Sequence, residues 1–379
     1  MEQQKTHLII VAGEASGDAH AACLVDAIKG LDANISFSGL GGEKMAQSGV
    51  ELYSDLTKIA VIGFSEILKH IFEFKRLFDL IVKKTKETNA KAVILVDYPG
   101  FNLKLAKELK KTGIKVIYYI SPQVWAWKEK RVELIRKVVD KMIVLFEFEK
   151  EFYANRGLDV TCVGHPLVDE IKISQDKDTL LQAANLDPSK KTIALLPGSR
   201  HKEITRLFPI MIRSAQNLYK KNSDLQFLVL KSPTISADLI NQHLPKNFPI
   251  TVLYNDYYNG INACDFCLVA SGTATLEVAI LNRPMIIIYK TSFLTWVIAK
   301  LLVKLSCIGL VNIVAQKKIV PECVQNDATE IKIVSEVISI LTDDDKIKLI
   351  KSNLTKVKSS LGAPGASMRA AEEIINFLN

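Results

Sequence analysis

Leu8-Ile9-Ile10-Val11-Ala12-Gly13-Glu14-Ala15-Ser16-Gly17-Asp18 is an apolar run that enters a turn bounded by two glycines. Short runs rich in Ile and Val read as buried strands, and a helical stretch from Asp18 to Lys29, ended by Gly30, follows this one. The second half repeats the order: Thr192-Ile193-Ala194-Leu195-Leu196 runs into Pro197-Gly198-Ser199-Arg200. Further strand-like runs lie at 92–96, 116–120, 141–145 and 161–164, then at 225–230, 250–253, 266–270 and 285–289, with helical stretches between them. This alternation predicts an α/β chain of two doubly wound, Rossmann-like domains facing across a cleft. The charge-rich stretch 172–191 separates the two series, giving expected domains of 1–170 and 171–364. Residues 365–379 read as a terminal amphipathic helix.

The chain has 379 residues, 48% hydrophobic and 24% charged, which excludes disordered and fibrous classes. Its 49 Lys and Arg against 41 Asp and Glu leave a net charge of +8, favouring anionic partners. The run 8–12 is too short for a signal-peptide core, and Lys300 and Lys304 interrupt the most apolar window, so no spanning helix is expected. Six scattered cysteines fit a reducing, cytosolic setting. Cys264 and Cys267 form a lone C-x-x-C within an apolar run and read as buried strand residues, with no metal site indicated. Two segments are basic and apolar together. In 61–84, Phe64, Ile67, Leu68, Ile71, Phe74, Phe78, Ile81 and Val82 recur at helical spacing among five cations, which suits a membrane surface or a helix packed on the sheet. The stretch 278–321 has no Asp or Glu but six cations, and contains an apolar helical run at 293–303.

Four turns carry the chemistry. Glycines at 13 and 17 let the chain turn tightly ahead of a helix N-terminus, but the spacing is not that of a dinucleotide fingerprint. Ser16 and Asp18 are candidates for a ligand or for a helix cap. Asp97, after the strand 93–96 and before Tyr98-Pro99-Gly100, is a candidate general base or an Asx-type turn residue. Gly198, Ser199 and Arg200 form a turn suited to phosphate, with Lys202 and Glu203 beyond. Ser271, Gly272 and Thr273 form another, and Glu277, a turn into the next helix, is placed for sugar hydroxyls. Two anion-receptive turns in one half imply a diphosphate such as a nucleotide sugar. No Walker lysine follows either one. His165 and His201 read as ordinary polar residues, and Trp125 and Trp127 as a cleft wall or packing.

Together these strings resemble the lipid-A-disaccharide synthases of Gram-negative bacteria. The matching residues are Ala12 to Asp18; Asp97 with Pro99, Phe101 and Asn102; Ser121-Pro122 with Val124-Trp125-Ala126-Trp127; Gly164-His165; Leu196 to Arg200; Ser271-Gly272-Thr273 with Glu277; and Asn312. They run in the family's order over nearly the whole chain. The resemblance implies a GT-B-like inverting glycosyltransferase that passes 2,3-diacylglucosamine from UDP to the 6-hydroxyl of 2,3-diacylglucosamine 1-phosphate. It implies transfer without a metal or cofactor. It further implies an acceptor- and acyl-binding first domain, to which the C-terminal helix returns, and a UDP-sugar-binding second domain. Asp97 would be the base. Glu14, Ser16, Gly198, Ser199, Arg200, Ser271, Gly272, Thr273, Glu277 and Asn312 would bind substrate.

The family works peripherally at the cytoplasmic face of the inner membrane, so this chain is expected there too. The oligomeric state, monomer or homodimer, stays open, and nucleic acid is not an expected partner. Gly100 stands where many members carry a second acidic residue, Val311 where a Pro is usual and Gln316 where a Gly is common. The alternatives are another GT-B UDP-sugar enzyme, such as a UDP-sugar epimerase, and a non-catalytic membrane-associated scaffold.

Overall fold

A computed structural model of the chain describes residues 6–60, 67–127, 129, 131–292, 296 and 306–379. They form two compact units, one running to Pro166 and completed by Gly362–Asn379, the other spanning Leu167–Leu361.

The first unit holds strands β1 (Thr6–Ala12), β2 (Ile35–Gly41), β3 (Glu51–Asp55), β4 (Ala92–Val96), β5 (Lys115–Tyr119), β6 (Lys141–Val144) and β7 (Thr161–Cys162). All pair in parallel, in the order β3-β2-β1-β4-β5-β6-β7. Leu8 to Ala12 and Ala92 to Val96 are buried, as expected of parallel strands covered on both faces by helices. The order reverses between β1 and β4, so a crevice opens at their carboxyl ends.

The first helix runs Ala15–Leu31, starting before Asp18 and continuing through Gly30. Packing overrides the glycine there, because Leu24, Val25 and Ile28 on the same helix are buried. Asp18 caps a different helix: its carboxylate accepts the backbone N–H groups of Gly42 at 2.7 Å, Lys44 at 3.1 Å and Met45 at 3.3 Å. The terminal helix, Ala366–Leu378, packs on Ala15–Leu31 through Ala366, Ala370, Ala371, Ile374 and Leu378. Arg369 clamps it, donating to the carbonyls of Val163, Ala363 and Pro364 at 2.7 to 2.9 Å.

The second unit holds β8 (Thr192–Leu196), β9 (Gln226–Leu230), β10 (Ile250–Leu253), β11 (Phe266–Ala270), β12 (Met285–Tyr289) and β13 (Glu322–Val324), in the order β10-β9-β8-β11-β12-β13. Here too every pairing is parallel, and the order reverses between β8 and β11. The charge-rich stretch 172–191 is part of this unit. Asp176 caps its helix Lys177–Ala183 by accepting the Thr179 N–H, and Leu180 and Leu181 are buried against Ala263. Asn259 accepts from Ser174 and Gln175 at 3.0 and 3.3 Å, so side-chain caps and ties hold a segment whose polarity suggests a linker.

The basic helix runs Ile67–Glu87. Leu77 and Ile81 are buried, and Phe74, Phe78, Leu80 and Val82 pack against the core, so this part of the stripe faces the sheet. Phe72 is 85% exposed. Residues 61–66 and the run 293–303, apart from Trp296, lie outside the described residues. Among the described residues no helix is long and apolar enough to cross a membrane. Cys264 and Cys267 are buried.

Candidate active site

In the first unit the site is built on the turn after β4. Asp97 and Tyr98 both adopt left-handed backbone, with φ of 46° and 44°. Each such residue is strained by roughly 1–2 kcal/mol, so the turn needs holding. Asn102, buried on the helix Pro99–Lys110, donates to the carbonyls of Val96 at 3.1 Å and Asp97 at 2.8 Å. The Tyr118 hydroxyl donates to the Asp97 carbonyl at 2.6 Å, and the Asp97 N–H reaches Tyr119 at 3.1 Å. The Tyr98 side chain, at the N-cap position of the helix Pro99–Lys110, makes no capping bond.

Gly13 completes this arrangement by a close approach. A Cβ there would lie 2.2 Å from the Tyr98 ring, so only glycine lets the ring cover the turn after β1. Glu14, half-buried, stands at the N-cap position of the first helix without a side-chain capping bond, and Ser16 is exposed in its first turn. Asp97 is half-buried at the strand end. Burial, then the nearby Glu14 carboxylate, pushes its pKa up to about 6. That is a useful value for a general base working near neutral pH.

A buried acid in the same unit, after β6, was not singled out from the sequence. Glu149 accepts from Trp125 Nε1 at 3.1 Å and from the backbone of Leu145 and Phe146, each at 3.2 Å. Burial pushes it up to about 7. Its signal was a Glu three residues into a helix after a strand, the usual place for a capping acid. Trp125 is therefore anchored at its ring nitrogen and meets Phe148 edge-on at 5.1 Å. The Trp127 side chain lies outside the described residues. His165 is buried, its ring 6.1 Å from that of His20, and burial holds its pKa down at about 3.

In the second unit, the turns after the neighbouring strands β8 and β11 place Gly198, Ser199 and Arg200 at one strand end and Ser271, Gly272 and Thr273 at the next. Gly198 has φ of 120°, and a Cβ there would lie 2.5 Å from Glu203 Oε2. The Ser199 N–H, expected to meet phosphate, donates to that Glu203 oxygen at 3.0 Å. Arg200 lies 3.4 Å from the other Glu203 oxygen, with its side chain 69% exposed. An internal carboxylate thus already sits at this anion-receptive turn. Ser271 donates to the Ile308 carbonyl at 3.3 Å, while Gly272 and Thr273 are exposed. Glu277 lies on the helix Ala274–Ile280. Burial raises the pKa of its carboxyl to about 7.

Asn312, expected at the substrate, is held within its own loop. It is fully buried; its Nδ2 donates to Val320 at 3.0 Å and Glu322 at 2.8 Å, and its Oδ1 accepts from Ile319 at 2.8 Å and Val320 at 3.1 Å. An amide has two donors and two acceptor positions, so none is left for a ligand. Asn312 organises its own loop.

A sequence profile described as lipid-A-disaccharide synthetase matches residues 8–374. The chain belongs to this family. It is 40% identical to the lipid-A-disaccharide synthase of Geobacter sulfurreducens, covering 100% of this chain and 99% of that one. Lipid-A-disaccharide synthase 1 of Legionella pneumophila, strain Paris, is 44% identical, with 95% and 94% covered. Solved structures share the fold. The UDP-GlcNAc 2-epimerase of Neisseria meningitidis, bound to UDP-GlcNAc, matches with a TM-score of 0.64 at 12% identity, over 98% of this chain and all of that one. The kitacinnamycin glycotransferase matches at 0.66 and 11%, over the whole of both chains. Membership of the synthetase family makes the chain a glycosyltransferase, and the epimerase likeness is one of fold.

The three departures from the synthetase pattern now have physical readings. Gly100 is exposed, and a Cβ there would meet nothing within 4 Å, so a second acid would fit. The Val311 N–H donates to Thr275 Oγ1 at 3.3 Å, a bond that a proline could not make. Gln316 has φ of 53°, a conformation that the usual glycine adopts without strain.

Asn312→Ala should strand the backbone groups of Ile319 and Val320. At about 1–3 kcal/mol per stranded buried group, denaturant unfolding should show a loss of at least about 2 kcal/mol. A variant of full stability that fails to bind UDP would restore Asn312 as a ligand contact.

Proposed function

We propose that this chain joins the 2,3-diacylglucosamine of UDP-2,3-diacylglucosamine to the 6-hydroxyl of 2,3-diacylglucosamine 1-phosphate (lipid X), with inversion. The products are the β-1′,6-linked disaccharide 1-phosphate and UDP. The observation that carries the reading is the Asp97 carboxyl, half-buried in a strained turn at the carboxyl end of β4. In the step, the acceptor O6 bonds to the anomeric carbon as the bond from that carbon to the UDP oxygen breaks. Asp97 takes the hydroxyl proton. Glu14 and Ser16 flank the acceptor, and Gly13 and Asn102 act only by holding the turn.

In the second unit, Arg200 and the backbone of Gly198, Ser199, Ser271, Gly272 and Thr273 would take up the charge that develops on the leaving diphosphate. Arg200 must then exchange Glu203 for phosphate, which its exposure permits. Glu277 would hold the ribose hydroxyls. Both substrates carry acyl chains, and Phe72, with Lys75 and Arg76 exposed close by, supports reversible attachment to the cytoplasmic face of an anionic membrane.

Asp97→Asn should abolish acceptor-dependent UDP release while UDP binding persists. Unchanged turnover would contradict Asp97 as base. In the wild type, kcat/KM for the acceptor should rise with pH and level off above about 6, because a carboxyl raised above its ordinary value is protonated and inactive below that point. The same upward shift means the fold binds the Asp97 proton more tightly than the unfolded chain does. Ionisation therefore weakens folding as pH rises from about 4 to 6, and Asp97→Asn should be at least as stable as wild type at pH 7.

Co-sedimentation with anionic vesicles should fall as salt is raised and fall further in Phe72→Ser. Equal binding to neutral vesicles at all salt concentrations would contradict the electrostatic attachment.

A further inference from the structure

The turn Gly198-Ser199-Arg200 is held from two sides, and one of its holders is an anion. Glu203, in the first turn of the helix His201–Lys221, folds back over it: Oε2 accepts the Ser199 N–H at 3.0 Å, and Oε1 lies 3.4 Å from Arg200 Nη1. Gly198 makes room for this fold-back, since a Cβ there would also lie 2.8 Å from the Glu203 Cβ. On the other side the Thr234 hydroxyl donates to the Ser199 carbonyl at 2.9 Å. Thr234 belongs to the loop after β9, the strand beside β8. Lys231 braces that loop, its Nζ donating to the carbonyls of Ser232 at 3.0 Å and Ile235 at 2.8 Å. The Ser199 peptide therefore keeps a second holder when Glu203 lets go. The Glu203 side chain is mostly covered, whereas that of Arg200 is exposed.

We propose that Glu203 is an internal competitor for the diphosphate: its carboxylate holds the Ser199 N–H and faces Arg200 until a phosphate displaces it, and retakes both as UDP leaves. This rests on the reading of the turn as a phosphate site. An N–H has a single hydrogen to give, so the Ser199 donor serves Glu203 or a phosphate oxygen, not both. Arg200 has further donors, but a phosphate brought to the same turn would lie against the Glu203 carboxylate, and the two anions would repel. The carboxylate must swing out, which its flexible side chain allows without moving the helix. Only chains with the turn released bind the diphosphate, so the apparent affinity is the intrinsic one reduced by the released fraction. Glu203 thereby sets how tightly UDP is held and how readily the product is let go.

The test measures UDP binding by calorimetry and uridine binding by NMR titration for the full chain as wild type, Glu203→Gln and Arg200→Gln, with melting curves to confirm folding. Product inhibition by UDP is measured alongside in acceptor-dependent turnover. Glu203→Gln keeps the shape and an acceptor oxygen but loses the charge, so UDP should bind about three- to tenfold tighter and inhibit more strongly by the same factor. Uridine, which carries no phosphate, should bind wild type and Glu203→Gln alike. A residue that only braced the turn would act in the opposite direction, its loss weakening UDP. Unchanged or weaker UDP binding or inhibition in folded Glu203→Gln, or an equal tightening of uridine, would overturn the proposal. Arg200→Gln should weaken UDP. UDP binding untouched by Arg200→Gln would overturn the phosphate reading of the turn and this proposal with it, and only that outcome implicates the underlying reading.

Discussion

The turn after β4 depends on the backbone of two residues held against their preference. Asp97 and Tyr98 are consecutive left-handed non-glycine residues, and together they are strained by about 2–4 kcal/mol. Asn102 and Tyr118 offset this with three hydrogen bonds to the carbonyls of residues 96 and 97. The Phe101 ring stacks 4.5 Å from Phe78, so the helix carrying Asn102 is seated by the aromatic stripe of Ile67–Glu87. Sequence, packing and chemistry meet at this turn: the stripe seats the helix, the helix seats Asn102, and Asn102 fixes the position of the Asp97 carboxyl.

Carboxylates recur as internal ligands for backbone N–H groups throughout both units. Asp18 caps Glu43–Gln47, Glu149 serves Leu145 and Phe146, and Glu203 serves Ser199. Glu322 accepts from Ile308 and Gly309 at 2.9 Å while holding Asn312. Helix N-termini attract anions, and a protein that must bind a diphosphate at some of them fills the others itself. At Ser199 the two uses coincide, since Glu203 stands where a phosphate is proposed to bind. A basic, phosphate-binding protein thus still carries many buried or half-buried acids.

The fold was legible because strand and turn signals are local. The runs 8–12, 92–96, 192–196 and 266–270 are β-rich, apolar and bounded by turn residues, and all became central parallel strands. The turns at Gly13, Asp97, Gly198 and Ser271 were legible for the same reason. What sequence could not show were partnerships between distant positions. Asn259 ties down residues 174 and 175 across a separation of 84 to 85, a partnership that nothing local in the sequence announces. The partners of Asn312, the backbone of 319–320 and Glu322, likewise give no sign in the sequence that they converge on it. Glu149 escaped notice because burial, not residue type, makes it significant.

The claim on which these relations bear most directly is that the fold itself turns Asp97 into a base. Selective 13C labelling of aspartate carboxyls, with the Asp97 resonance assigned by its absence in Asp97→Asn, allows that carboxyl to be titrated in the folded chain. The account predicts a midpoint near 6. A midpoint in the ordinary aspartate range, about 4, would mean that the turn neither buries nor tunes the carboxyl, and the assignment of the base would have to move elsewhere.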